Sequence, residues 1–205
     1  MGRLGFLTEL LPGVVEFAGT NGFSTLELIC DRDTTLDVEK MGEGELDALK
    51  ARFDENGVAL GAFAWYITNQ IDPDPTKQAE NTEYLKKIIA AGKKLGCYLI
   101  SIGTMHHPSQ QVKGHSAESL NIYKKVFGEY SRIAEGEGFR LCFENCPEFG
   151  NIQYSPEFLS TLFELVPSPV IGFEYDPSHF VWQGINYLRA LRDFEGRIYS
   201  VHCKD

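Results

Sequence analysis

Three short segments in the second half of the chain end in residues able to hold a cation or move a proton. They read Arg140-Leu141-Cys142-Phe143-Glu144-Asn145-Cys146, Val170-Ile171-Gly172-Phe173-Glu174-Tyr175-Asp176 and Ile198-Tyr199-Ser200-Val201-His202-Cys203-Lys204. Each begins apolar and β-prone and turns polar at its end. Side chains alternate along a strand with a period of two, so Cys142 shares a face with Glu144, Gly172 with Glu174 and Asp176, and Ser200 with His202 and Lys204. The alternate positions, Phe143, Phe173, Tyr175, Tyr199 and Val201, are bulky and suit a face covered by helices. Glu144, Asp176 and His202 are then expected to converge at one level. Two carboxylates and an imidazole form a mostly hard donor set that suits Mn2+ first, with Mg2+, Co2+ and Zn2+ as alternatives. Singly, each residue has a plain structural use: a strand-end Glu caps a helix, Asp-Pro opens a turn, and a core His is hydrogen-bonded. Together they would leave unpaired charges side by side, which a bound cation resolves.

The elements that must position them repeat along the chain. β-rich runs occur at Arg3–Thr8, Thr25–Cys30, Val58–Ile67, Cys97–Thr104, Arg140–Cys146, Val170–Asp176 and Ile198–Lys204. Amphipathic stretches separate them, with Leu46, Leu49 and Phe53, then Tyr84, Leu85, Ile88, Ile89 and Leu95, then Leu120, Tyr123, Phe127, Tyr130 and Ile133 at helical spacing. Gly57, Gly96 and Gly138 stand where those helices should end, and Ser155-Pro156-Glu157 reads as an N-cap followed by Pro at the first helical position. Strict alternation of strand and helix implies a parallel sheet with right-handed crossovers. Neither G-x-G-x-x-G after the first strand nor G-x-x-x-x-G-K-[ST] occurs, so nucleotide-binding open sheets lose their signature. Seven units over 205 residues approach the roughly 250 of an eight-unit barrel. The expected fold is an α/β (β/α)8 TIM barrel truncated after strand seven, one domain over residues 1–205, with chemistry at the carboxyl ends of its strands.

Composition narrows the partners. The chain is 43% hydrophobic and carries a formal charge of −10, with no basic cluster longer than Lys86-Lys87 or Lys93-Lys94. Such a surface opposes a phosphate backbone, so nucleic acid is not an expected partner. No run reaches the roughly 18 apolar residues of a membrane span, and the N-terminus lacks a signal-peptide cleavage pattern. The cysteines at 30, 97, 142, 146 and 203 are odd in number and read as thiols in a reducing, cytoplasmic setting rather than as disulfides or a zinc cage.

These segments also carry a resemblance. Phe143-Glu144-Asn145-Cys146-Pro147, the stretch from Tyr175-Asp176-Pro177-Ser178-His179 to Gly184-Ile185, and Val201-His202-Cys203-Lys204-Asp205 resemble the xylose-isomerase-like sugar phosphate isomerase/epimerase family. Gly22-Phe23-Ser24-Thr25-Leu26-Glu27-Leu28 resembles its second strand entry, so the likeness covers nearly all the chain. The D-x-x-H and H-x-K-D pair marks the superfamily rather than a substrate. The resemblance implies a divalent metal held by Glu, Asp, His and a second Glu: Glu144, Asp176 and His202 match the first three, and the second Glu belongs to strand eight. It gives His179 the role of contacting a substrate oxygen beside the metal, and Lys204 and Asp205 a substrate-side role. DNA-repair endonucleases share this fold but add histidines on the second to fourth strands; Ala62-Phe63-Ala64-Trp65-Tyr66 offers none, and the net charge opposes DNA.

The expected function is a metal-dependent sugar isomerase or epimerase that removes an α-proton and passes through an ene-diolate. Glu144 is the expected base and His179 the group that polarises the carbonyl. A keto-sugar or inosose dehydratase begins with the same proton removal and is the alternative within enzymes; a non-catalytic sugar-binding fragment is the alternative outside them. The expected partner is a small sugar, with no membrane, and a homo-oligomer is compatible with the sequence. His106 and His107 after strand four, and Trp65 and Tyr66 at the end of strand three, are candidates for substrate contact and the pocket wall; the competing readings are solvated surface for the histidines and core for the two aromatics. Arg140 and Glu174 are expected to form an ion pair inside the barrel. Asn145 is expected to orient Glu144 or to line the pocket.

Overall fold

A computed structural model describes residues 3–103, 105, 116–147 and 151–204. The β-rich runs become β1 (Gly5–Thr8), β2 (Thr25–Ile29), β3 (Ala59–Trp65), β4 (Leu99–Ile102), β5 (Arg140–Glu144), β6 (Ile171–Tyr175) and β7 (Ile198–Val201). Between them run α1 (Val14–Thr20), α2 (Glu43–Glu55), α3 (Pro75–Leu95), α4 (Ser116–Glu137), α5 (Pro156–Leu165), α6 (Pro177–Trp182) and α7 (Tyr187–Asp193). All adjacent strands pair in parallel in the order β1-β2-β3-β4-β5-β6-β7. The sheet curls into a partial barrel whose edges are β1 and β7, with helices outside. His106, His107, His115 and Asp205 lie outside the described residues.

The helix ends follow the local sequence. Ser155 accepts a hydrogen bond from the Phe158 N–H with Pro156 opening α5, and Asp74 does the same for Thr76 ahead of Pro75 in α3. Gly96 and Gly138, after α3 and α4, both have φ of +74°, a left-handed conformation that closes the helix without a Cβ penalty.

The outward strand positions make the core. Phe143 packs on Tyr123, Phe127 and Phe163, and Phe173 on Phe180 and Phe194, with ring centroids 5.6–6.5 Å apart. Trp65 is fully buried between Tyr84 of α3 and Tyr130 of α4, at 5.6 and 6.1 Å. Burying a side chain of this kind contributes about 1.5–3 kcal/mol. This corrects the pocket-wall reading of Trp65: β3 turns its ring toward the helices and away from the barrel interior.

Side chains end the strands where the sequence suggested continuation. β3 stops at Trp65 because the Asp31 carboxylate accepts the N–H groups of Ile67 and Thr68, at 3.0 and 2.6 Å. β5 stops at Glu144 because the next residue uses its side chain as a strand. Asn145, fully buried, donates Nδ2–H to the Asp176 carbonyl and accepts the Asp176 N–H at Oδ1, both at 2.8 Å. That pair of bonds locks the carboxyl ends of β5 and β6 together and fixes Asp176 relative to Glu144.

Register changes two expectations. β6 pairs Phe173 with Ile198 and Glu174 with Ser200, so Tyr199 is an extra residue in β7. Its ring does not face the helices as the period of two predicts; it lies against Gly172 and under the Arg140 guanidinium, 4.8 Å from the ring centroid. Arg140 is exposed at this end of the barrel, whereas Glu174 is fully buried among Tyr66, Ser101 and His202. The expected Arg140–Glu174 ion pair therefore does not form. A Cβ on Gly172 would meet the Tyr199 ring and would come 2.7 Å from the Arg197 carbonyl oxygen. Gly172→Ala should therefore destabilise the fold by about 1–3 kcal/mol. The midpoint of urea unfolding reads this directly. Adding Tyr199→Ala should recover part of the loss, and an unshifted midpoint in the single variant contradicts the packing.

Candidate active site

Glu144, Asp176 and His202 meet at the carboxyl end of the sheet, their ligand atoms all within 4.8 Å of one another. Glu144 closes β5, Asp176 follows β6, and His202 extends β7 by one more ladder bond, its N–H donating to the Tyr175 carbonyl at 3.0 Å. The three are not level in register. β5 pairs Glu144 with Glu174, and Asp176 stands one inward position further along, so the stagger of the curled sheet brings them together.

Each polar atom has its own task. Asp176 Oδ1 accepts the Ser178 N–H and hydroxyl at 2.8 and 2.6 Å, capping α6, while Oδ2 faces the Lys204 ammonium at 2.5 Å and His179 Nε2 at 3.5 Å. The turn reading of Asp176-Pro177 is thus met by one oxygen, and the other faces the site. Glu144 Oε1 lies 3.1 Å from His202 Nδ1, 3.4 Å from His179 Nε2 and 3.7 Å from Lys204 Nζ. Among the described residues its Oε2 accepts no hydrogen bond. His202 Nε2, on the other edge of the ring, faces Glu27 Oε2 at 3.1 Å and Glu174 Oε1 at 3.3 Å. Lys204 also approaches His179 Nε2 at 3.2 Å.

The electrostatics follow from this crowding. Burial opposes charge on Glu144, but hydrogen bonds from His179 and His202 and the charges of His202 and Lys204 hold its carboxyl well below the usual carboxylate range. Burial alone would lower the His202 imidazole; the Glu144 and Glu27 carboxylates outweigh it, with Glu174 behind them, and push it up to about 11. Glu174 is pushed up to about 8 by burial first and by the charge of Glu27 second, against the pull of His202. Desolvation and the same carboxylates raise the Tyr66 phenol, which stays a donor.

Of the sequence-derived candidates, Glu144, Asp176, His202, His179 and Lys204 come together, Trp65 stands apart in the helix-side core, and His107 is outside the described residues. Cys146 joins Glu144 and His179 as a third group of close ligand atoms. Sequence reasoning gave no role to Glu27 or Ser101, which line the floor beneath His202 with Tyr66, the other aromatic read as a candidate for the pocket wall. The signal for Glu27 was its place between Leu26 and Leu28, both fully buried on the opposite face of β2. A cavity of about 500 Å3 opens inside the curl, with Glu27, Ala62, Ser200 and His202 in its wall. No helix among the described residues is long and apolar enough to cross a membrane.

Known proteins share this architecture. The chain overlays on D-psicose 3-epimerase crystallised in the presence of D-fructose with a TM-score of 0.83 and 14% identity, covering 98% of this chain and 72% of that one. It overlays on the IolI protein with a bound zinc atom at 0.79 and 20% identity, covering 98% and 72%. For the probable 3-DHS dehydratase AsbF from Bacillus anthracis the values are 0.78 and 14%, covering 100% and 73%. These likenesses show the fold. Over 52 residues the chain is 40% identical to the uncharacterized protein YfiH of Bacillus subtilis (strain 168), a match spanning 25% of this chain and 16% of that protein. The model of one family, described as xylose isomerase-like TIM barrel, matches residues 15–205, from the second residue of α1 onward, and the chain belongs to that family.

Proposed function

We propose that residues 1–205 form one domain of a metal-dependent sugar isomerase or epimerase working by α-proton abstraction, with Glu144 as the base. The observation that carries this reading is the division of Glu144: its hydrogen bond and ion pairs with His179, His202 and Lys204 all fall on Oε1, and Oε2 is the oxygen proposed to face a substrate carbon. The donor set fits a divalent cation. It is anionic, buried and close-set, and a cationic group, the Lys204 ammonium, stands against Asp176 Oδ2. Glu144 Oε1, Asp176 Oδ2 and His202 Nδ1 would hold the ion, with Mn2+ preferred for two oxygens and one imidazole nitrogen. Such a cation, when bound, polarises a carbonyl and stabilises the negative charge that develops on its oxygen.

The residues of the chain do the rest. Glu144 is ionised at neutral pH, as a base must be, and its Oε2 takes the α-proton as charge spreads over the two oxygens of an ene-diolate. His179 Nε2, beside the same carboxylates, holds a substrate oxygen in place. Return of the proton by Glu144 to the neighbouring carbon, with a hydroxyl proton passing between the two oxygens, gives isomerisation; delivery of a proton to the opposite face of the same carbon by a second acid across the substrate gives epimerisation. Loss of a β-hydroxyl after the same first step gives dehydration, which a ketose panel with Mn2+ distinguishes by product.

Glu144→Gln should slow exchange of the substrate α-proton with D2O by about 10²–10⁴-fold, while sugar binding survives. Undiminished exchange would remove Glu144 from the role of base. In Mn2+ titrations Asp176→Asn should weaken binding, whereas Lys204→Met should strengthen it by removing a competing cation from between the donor oxygens. The opposite order places the ion elsewhere. Because His202 carries a proton up to about pH 11 in the metal-free protein, that proton must leave Nδ1 when the ion enters. Mn2+ affinity should therefore rise about tenfold per pH unit from pH 6 to 8; a flat profile contradicts His202 as a ligand.

A further inference from the structure

We propose that Glu27, which is hydrogen-bonded to His202 Nε2, and Glu174, set beside it by Ser101 and Tyr66, are positioning residues that together fix the His202 ring with Nε2 toward the barrel floor and Nδ1 toward Glu144 and Asp176. The inference rests on the metal reading above for its consequence, but its geometry stands by itself.

Glu174 is fully buried and takes no part in the proton abstraction proposed above. Its Oε2 accepts both the Tyr66 and the Ser101 hydroxyl in short hydrogen bonds, so the carboxyl plane cannot turn. Its Oε1 lies 3.3 Å from His202 Nε2 without closing a hydrogen bond. The bond to that nitrogen is made by Glu27 Oε2 at 3.1 Å, and Glu27 Oε1 lies 3.0 Å from the Tyr66 hydroxyl. The Tyr66 hydroxyl stands between the two carboxyl groups, its one proton shared between them, and both groups converge on one ring N–H. A flipped ring would put a carbon-bound hydrogen before both oxygens and leave the buried Glu27 carboxyl without its donor, a costly exchange. The ring therefore keeps its present sense, and Nδ1 is the nitrogen left for the cation side. Imidazole ligands whose other nitrogen is bonded to a carboxylate gain both orientation and basicity from it.

The test compares the double variant Glu27→Leu/Glu174→Leu, which keeps bulk without an acceptor, with Glu27→Gln, whose carbonyl still accepts Nε2–H. In Mn2+ titrations the leucine variant should bind about 10–100-fold more weakly than the unaltered chain, and the glutamine variant should recover most of that loss. Independently of metal, long-range 1H–15N spectra of the metal-free protein should show a slowly exchanging His202 Nε2–H that disappears in the leucine variant and persists in Glu27→Gln. Should the leucine variant fail to fold, Tyr66→Phe removes the shared brace and should speed that exchange several-fold. An unaltered chain that takes up no Mn2+ overturns the metal reading, and the Nε2–H signal then decides this proposal alone. A slowly exchanging Nε2–H in the leucine variant, or unchanged exchange in Tyr66→Phe, overturns it.

Discussion

Four carboxylates, those of Glu27, Glu144, Glu174 and Asp176, are buried within reach of one imidazole at the mouth of this barrel. Charges removed from water are tolerated only when opposite charge or hydrogen-bond donors stand against them. Here the compensation comes from the His202 imidazolium, the Lys204 ammonium, His179 and a small set of hydroxyls. The rest of the site follows from that balance. It sets which groups are charged and which oxygen each carboxylate can spare.

The fold meets this constraint by giving the two atoms of a side chain different work. Asp176 spends one oxygen on capping α6 and keeps the other for the site. His202 spends one nitrogen on the floor carboxyls and turns the other toward Glu144. Anchoring of this kind lowers the freedom each group would otherwise lose on binding, so the site is organised before a ligand arrives. The scaffold beneath is equally economical. Asn145 continues the β5–β6 ladder with its own amide, and the extra residue in β7 lets Tyr199 fill the barrel bottom while His202 and Lys204 stay inward.

Much of this was legible in the chain. Strand–helix alternation specifies a parallel sheet, and the period of two puts Glu144, Asp176 and His202 on inner faces because Phe143, Phe173 and Tyr175 must face the helices. Pairing across strands was less legible, since it depends on register. Arg140 and Glu174 look like partners on neighbouring strands, yet register sets Arg140 beside Leu99 and Glu174 beside Glu144. Tyr199 obeys a bulge that no local pattern announces. Trp65 and Tyr66 are adjacent aromatics with opposite fates: one packs on α3 and α4, the other reaches the floor of the site. Glu27 was hidden because a lone glutamate in a strand usually faces water, and only three-dimensional closure of the sheet brings β2 opposite β7.

Crystals grown with Mn2+ and measured at the manganese edge test the central claim most directly. The expected map has one anomalous peak within coordination distance of Glu144, Asp176 and His202 Nδ1, with the Lys204 ammonium displaced from Asp176 Oδ2 and the His202 ring unflipped. A peak on other residues contradicts the assignment of this cluster as the metal centre. So does a saturated crystal in which Lys204 still holds Asp176 and no peak appears.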